Sequence, residues 1–152
     1  LRQAALVEYS LRPALEAEST VIRDMIHQVG INPMGLDWRR FLVAVTPEGQ
    51  VIGCGQLKPH GGGLLELASI AVLPEHRKLG IARAVIEHLL DDSPRPLYLT
   101  CVSSMGPFYE RFGFYALKPD EMPRYFRRLS QLAGLVFTLA QRGETLLVMK
   151  LQ

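Results

Sequence analysis

The 152-residue chain concentrates its reactive groups in a few places, and the most unusual is RKLGIARAVIEHLLDD, from Arg77 to Asp92. Ile81, Val85, Ile86, Leu89 and Leu90 recur at helical spacing, which predicts an amphipathic helix. A helix start carries partial positive charge and favours acids there, with bases at the far end. This one begins among Arg77, Lys78 and Arg83 and stops at Asp91 and Asp92, with Gly80 where a Ser, Thr, Asp or Asn cap is usual. Bare N–H groups, a glycine that admits a ligand close to the backbone, and nearby cations suit a phosphate or pyrophosphate. A surface helix with solvated charges is the competing reading, and the acids at the end fit neither. The ATP loop needs Gly-Lys-Ser/Thr in its last positions and a dinucleotide loop needs three spaced glycines; neither pattern is present.

Glu66 is the one acid in the apolar run Leu64 to Val72. A buried acid must be paired or functional, and a partly buried carboxylate suits proton abstraction from an amine. A rim position facing solvent would require neither. Tyr109 offers a phenol that keeps its proton at neutral pH, though a core tyrosine fits its residue type equally. The four histidines and two cysteines have no ligand spacing, so no metal site is expected.

A mixed set of elements must position these groups. Val7 to Arg12 reads as a short strand ended by Pro13, and Leu15 to Val29 as a helix with Ile22, Met25, Ile26 and Val29 on one stripe. Gly30 to Leu36 is loop, with a short helix near Asp37 to Arg40. Phe41 to Val45 and Gln50 to Leu57 are strands joined by the turn Thr46-Pro47-Glu48-Gly49. Lys58 to Gly63 is a glycine-rich loop, Leu64 to Val72 is a strand, and the helix after Arg77 follows. Leu97 to Val102 is a strand after the break at Pro94 to Pro96. Pro107 to Phe112 is a short helix capped by Gly113, and Phe114 to Leu117 is a strand. Met122 to Leu132 reads as a helix bearing Arg124, Arg127 and Arg128. The stretch after Gly134 is ambiguous, and Thr145 to Leu151 closes the chain as a strand. Hairpins first and a crossover near the middle imply an α/β protein with a mixed sheet, organised as one domain over 1–152.

Composition narrows the partners. A net charge of +2 is too mild to argue for nucleic acid. No apolar run reaches the ~18 residues of a membrane span; Leu129 to Ala140 comes nearest, interrupted by Ser130, Gln131 and Thr138. Leu1 to Leu6 is too short for a secretory leader. A start at Leu1 rather than Met leaves open that a tag, leader or targeting peptide preceded it. Cys54 and Cys101 in strand-like runs read as small buried hydrophobes in a reducing compartment. The expected location is the cytoplasm, or an organelle after removal of a targeting peptide.

Arg77 to Ala82 reads R-x-x-G-x-A directly after a strand, which resembles the acetyl-CoA pyrophosphate loop of the GNAT superfamily of N-acyltransferases, usually R/Q-x-x-G-x-G/A. The preceding strand in that family often reads E-L-x-x-I-A-V-x-P, and Glu66 to Pro74 reads ELASIAVLP. A later family segment is similar to F-Y-E-R-x-G-F, and Phe108 to Phe114 reads FYERFGF. Leu11-Arg12-Pro13-Ala14 looks like the family's first strand. The resemblance covers nearly the whole chain and is weakest over Met122 to Gly143. It implies a mixed, mostly antiparallel central sheet flanked by helices.

The resemblance also implies a chemistry: direct transfer of the acetyl group of acetyl-CoA to an amine. Tyr109 falls at the family's general-acid position, and Glu66 where several members place a general base acting through water. The backbone of Ile70, Ala71 and Val72 matches the strand that pairs with the pantetheine arm, where an N–H can hold the thioester oxygen. Lys78, Leu79, Gly80, Ile81, Ala82 and Arg83, with Arg77, match the pyrophosphate loop. Many members carry Asn at the end of the fifth strand; Ser103 and Ser104 stand there in this chain, so either a hydroxyl substitutes as donor or a different contact is used. Acceptors in the family enter past the first helices and last strands, which singles out Asn32, Met34, Asp37 and Trp38, and Arg124, Tyr125, Arg127 and Arg128. Inward arginines would suit an acceptor carboxylate, and ELASIAVLP is similar to the acetyltransferase domain of N-acetylglutamate synthases. Outward arginines would leave peptide, protein and small amines equally open. Members are often homodimers. The alternatives are an acyl-CoA-binding sensor without turnover and an unrelated phosphate-binding module.

Overall fold

The computed structural model describes residues 7–152, apart from the side chains of residues 133–135; the reading of Leu1 to Leu6 lies outside the described residues. The chain forms two compact units, one holding the residues up to Lys58 together with Leu67–Ser93, the other Pro59–Glu66 together with Pro94–Gln152.

The first unit contains β1 (Ser10–Pro13), α1 (Ser19–Val29), β2 (Phe41–Val45), most of β3 (Val51–Pro59), most of β4 (Leu65–Val72) and α2 (Ile81–Asp91). β1 pairs antiparallel with β2, β2 pairs antiparallel with β3, and β3 neighbours β4. All five residues of β2 are buried, as are Val51 to Gln56 of β3. Alternation explains why these runs are apolar throughout. Phe41, Val43, Val45 and Cys54 join Ile22, Met25 and Ile26 of α1 in one core. Leu42, Ala44 and Ile52 join Ile81 and Val85 of α2 in another.

The second unit contains the start of β4, then β5 (Leu97–Val102), α3 (Gly106–Glu110), β6 (Tyr115–Ala116), α4 (Arg124–Ser130), α5 (Ala133–Gln141) and β7 (Leu146–Leu151). β4 meets β5 in parallel through the single pair Glu66–Tyr98. β5 then pairs antiparallel with β7 along six positions, and β7 with β6 along two. A parallel neighbour requires a crossover, and α2 is the helix in that connection. Tyr98, Leu117, Met122, Phe126 and Val148 form this unit's core. The class is mixed α/β with a mostly antiparallel sheet, as the motifs implied.

Several boundaries differ from the sequence reading. β1 begins at Ser10 rather than Val7. The helix expected from Leu15 opens as a 3-10 turn, Glu16–Glu18, and becomes regular only at Ser19. Glu18 causes this: its carboxylate accepts from the Leu15 N–H and forks onto Arg12, each at 2.8 Å, folding the first turn tightly. β3 runs on to Pro59, so Lys58 belongs to a strand rather than to the glycine-rich loop. The remaining turn closes with His60 N–H donating to the Leu64 carbonyl at 3.0 Å. Gly61, Gly62 and Gly63 within it all adopt positive φ, which only glycine does at low cost. The ambiguous stretch after Gly134 is helical in α5, which leaves Val136 and Phe137 exposed. Among the described residues no helix is long and apolar enough to cross a membrane.

Two glycines of β3 let α2 lie close. A Cβ at Gly53 would come within 2.7 Å of Ile81, and one at Gly55 within 2.6 Å of Ile70 and 2.8 Å of Val85. Gly55→Ala should therefore overpack this face and cost about 1–3 kcal/mol. Chemical denaturation checks it, with the midpoint falling and the slope unchanged.

Candidate active site

The start of α2 has the form of an anion cradle. Gly80 is its N-cap at φ 79°, with no side-chain cap. Lys78, two residues earlier, is also left-handed at φ 64°. The first helical hydrogen bond runs from Ala84 N–H to the Gly80 carbonyl at 3.0 Å. The N–H groups of Ile81, Ala82 and Arg83 therefore have no helical partner. Nothing lies within 4 Å of where a Cβ on Gly80 would sit. Arg77, Lys78, Leu79 and Gly80 are exposed, and Arg77 and Lys78 make no ion pair among the described residues. Arg83 differs: its Nε is paired with Glu87 at 2.8 Å, one turn on. Asp91 and Asp92 are exposed at the helix end, where each mismatch with the dipole costs about 0.3–1 kcal/mol.

Upstream in the same unit, β4 is kinked at Ser69, a non-glycine residue at φ 58°. Such a conformation costs about 1–3 kcal/mol and persists only where neighbours enforce it. Here the fully buried Gln56 donates through Nε2 to Ser69 Oγ at 2.8 Å, and the Cys54 thiol to the Ser69 carbonyl at 3.5 Å. Burial pushes that thiol up to about 12, so it stays a neutral donor. The kink immediately precedes Ile70, Ala71 and Val72. These three residues close β4.

Gln56 does more than hold Ser69. It donates to the Gly35 carbonyl at 3.2 Å and accepts from Arg40 Nε at 3.2 Å, while Arg40 Nη2 reaches the same carbonyl at 2.9 Å. Lys58 Nζ donates to the Met34 carbonyl at 2.8 Å. Together they fasten the 30–37 loop to β3. Gln56 and Lys58 went unremarked in the sequence reading, although two polar residues alternating at the end of an apolar strand are a legible sign of a polar cluster. Of the expected acceptor-side residues, Asn32 and Asp37 accept from nearby backbone N–H groups, Met34 is exposed, and Trp38 lies under the Arg39 guanidinium.

In the second unit Glu66 is only 7% exposed, so it is no rim residue. Its Oε1 lies 2.6 Å from His60 Nε2. Tyr125 stacks on the imidazole at 4.0 Å between centroids. Burial and the Glu66 charge both raise the Tyr125 phenol above its usual range. Tyr109 sits on α3 with the rings of Phe108 and Phe114 edge-on to it at 5.0 and 6.3 Å. Burial, with the nearby Cys101 adding to it, pushes its phenol up to about 12. Its hydroxyl makes no hydrogen bond to a described residue. The structure thus gathers Ile70–Val72 and Arg77–Arg83 in one unit, and Glu66 and Tyr109 in the other.

At two places the sequence leaves alternatives open, and the structure bears on both. Ser103 is no free donor: its hydroxyl donates to Glu144 Oε2 at 2.6 Å and accepts from Thr145 N–H at 3.0 Å. With the Ser104 N–H at 3.0 Å, these bonds hold the Glu144 carboxyl below the usual range. The arginines of α4 do not form an inward anion site within their unit either. Arg124, Arg127 and Arg128 are exposed, and Arg127 is spent on the Pro119 and Met122 carbonyls.

The model of a family described as acetyltransferase (GNAT) domain matches residues 37–116. The chain is similar to N-acetylglutamate synthase from Neisseria gonorrhoeae, solved with coenzyme A and N-acetyl-glutamate, at 20% identity and a TM-score of 0.71. That match covers 98% of this chain and 36% of the synthase, so the chain spans about a third of the synthase's length. A Mycobacterium tuberculosis protein in complex with CoA is similar at 22% identity and a TM-score of 0.67, over 93% of this chain and 98% of that one. A GNAT-family acetyltransferase from Staphylococcus aureus Mu50 is similar at 13% identity and a TM-score of 0.71, over 95% and 98% of the two chains. At these identities the likeness is one of fold. No curated protein matches the chain.

The raised Tyr109 phenol has a measurable consequence. The difference in phenolate absorbance between the wild type and Tyr109→Phe should be flat at pH about 10, where ordinary tyrosines are half ionised, and should appear only near 12. Over that window the unfolded chain binds fewer protons than the folded one. The stability that Tyr109 contributes is therefore whole below pH about 10 and is lost as the pH rises toward 12.

Proposed function

The chain belongs to the GNAT family of acetyltransferases, and from that premise we propose that it is an acyltransferase that moves the acetyl group of acetyl-CoA directly to a primary amine within a ternary complex. The observation that carries this reading is the open start of α2. Its bare N–H groups, left-handed Lys78 and Gly80, and unpaired Arg77 and Lys78 suit the pyrophosphate of CoA. The backbone of Ile70 to Val72, directly after the kink at Ser69, suits the pantetheine arm as an added strand. One N–H there supplies a donor for the thioester oxygen as it gains charge.

Tyr109 serves as general acid, donating its proton to the departing thiolate. The phenol remains protonated throughout the neutral range because burial raises it. Glu66 serves on the base side, where the amine sheds a proton. The acceptor classes are a free amino acid, a peptide or protein amine, and a small amine. The Neisseria synthase structure with N-acetyl-glutamate supports an amino acid as one of them. The exposed arginines of α4 lend it no support.

CoA release measured across a panel of amino acids, polyamines and peptides, with products read by mass, tests the reading. One acceptor class should turn over, and Tyr109→Phe should lower kcat by about 10²–10⁴-fold while acetyl-CoA binding persists. Saturable binding with no acetylated amine would instead favour the sensor. At the loop, Arg77→Ala and Lys78→Ala should each weaken acetyl-CoA binding by about tenfold. Neither should alter binding of S-acetyl-pantetheine, which lacks the pyrophosphate; titration calorimetry distinguishes the two ligands.

A further inference from the structure

His60 has no part in the reaction as set out above, yet the second unit grips it from several sides. Glu66 of β4 meets Nε2 at 2.6 Å, and both side chains are only 9% exposed. Tyr125 of α4 lies on the ring face at 4.0 Å with 25° between planes, and Phe126 of the same helix meets it edge-on at 6.0 Å. Tyr98 of β5 stacks on Phe126 in turn, at 5.4 Å. Packing of this kind fixes the orientation of an imidazole as well as its position.

The orientation matters because the two ring nitrogens then differ. A carboxylate only accepts hydrogen bonds, so the proton of the Glu66–His60 contact belongs to Nε2. The neutral ring is accordingly protonated at Nε2 and carries its lone pair on Nδ1. Nδ1 has no hydrogen-bond partner among the described residues and is not sealed from solvent; the one sealed, unpartnered side-chain atom among them is His76 Nδ1. A carboxylate on one imidazole nitrogen holds the tautomer that makes the other nitrogen a base, and steadies the imidazolium once it forms. The same bond engages Oε1, one of the two Glu66 oxygens.

We propose that His60 Nδ1 is the atom that takes the proton from the attacking amine, and that Glu66 acts one step back, positioning the imidazole. This rests on the amine-acetylation reading and changes which side chain touches the reacting atoms. The amine nitrogen bonds to the thioester carbon and the carbon–sulfur bond breaks. The nitrogen's proton passes to Nδ1, and the Tyr109 hydroxyl proton passes to sulfur. His60 then releases a proton to solvent and Tyr109 recovers one, leaving an amide and free CoA. Glu66, Tyr125 and Phe126 face the ring, and no second carboxylate among the described residues is hydrogen-bonded to it.

His60→Phe is the informative variant, because it keeps a flat ring against Tyr125 and removes both nitrogens. Its kcat on the preferred amine should fall roughly 100-fold or more, with the KM for acetyl-CoA close to wild type and a lower thermal midpoint, because Glu66 then lies buried without its partner. Glu66→Gln should lower kcat less than His60→Phe does. His60→Phe activity near the wild-type level would overturn the inference and leave amine acetylation standing, whereas a wild type that acetylates no amine would overturn both. Heteronuclear NMR of the ring nitrogens uses only the wild type and so does not depend on the variant folding. A proton on Nε2 with Nδ1 bare supports the assignment, and a proton on Nδ1 of the neutral ring refutes it.

Discussion

Polar groups taken out of water must find partners, and in this chain that rule separates the parts that build the scaffold from the parts that await a ligand. Gln56, fully buried in β3, is met on all sides by Ser69, Gly35 and Arg40. Glu66 is met by His60. The Glu144 carboxylate is met by Ser103 and Ser104. Against this background, the start of α2 stands out as a row of backbone donors with neither cap nor acid. An isolated orphan N–H is unremarkable at a solvated helix end. Several orphans beside two unpaired cations and an open glycine are the reason a pyrophosphate is proposed there.

The same satisfaction of polar groups explains how β4 tolerates its kink. Ser69 gives up an extended conformation at a cost of about 1–3 kcal/mol, and two buried donors on β3 hold it there. Hydrogen bonds contribute about 0.5–1.5 kcal/mol each when both partners are neutral, so the pair is of the right size to offset the strain. Residues 70–72, directly after the kink, are the ones the family resemblance assigns to the cofactor. The kink, the glutamine and the thiol thus act as one device. Cys54, read from sequence as a small buried hydrophobe, is that and also a donor within it.

Function on this scaffold divides by chemistry. The groups proposed for the cofactor are mostly backbone, with Ser69, Lys78 and Gly80 where the chain turns left-handed. The groups proposed to handle protons are side chains whose surroundings decide their behaviour: Tyr109 kept neutral by burial, and His60 held by the buried Glu66. Phe108 and Phe114 pack edge-on to Tyr109, and Tyr125 and Phe126 of α4 pack on the His60 ring that meets Glu66. The segment least like the family, from Met122 to Gly143, therefore contributes Tyr125 and Phe126 as packing around His60 rather than arginines as an anion site.

Periodicity and punctuation are local, and what depends on them was legible in the sequence. β2, the turn after it, β4, β5 and α2 were all readable, as was the R-x-x-G-x-A loop, whose residues are contiguous and whose charges contradict the helix dipole. Glu66 was legible as an anomaly because a single acid in an apolar strand has few innocent explanations. The true start of α1 was not, since it hangs on Glu18 reaching back to Arg12 and Leu15. Nor was the fate of Ser103, which depends on Glu144, forty-one residues away. His60 lies only six residues from Glu66, yet three left-handed glycines decide whether the two side chains meet, and α4 supplies the ring that holds them. Spacing along the chain limits which groups can come together. Register, turn geometry and packing from distant elements decided which of them did, because each of those contacts exists only once the strands have paired.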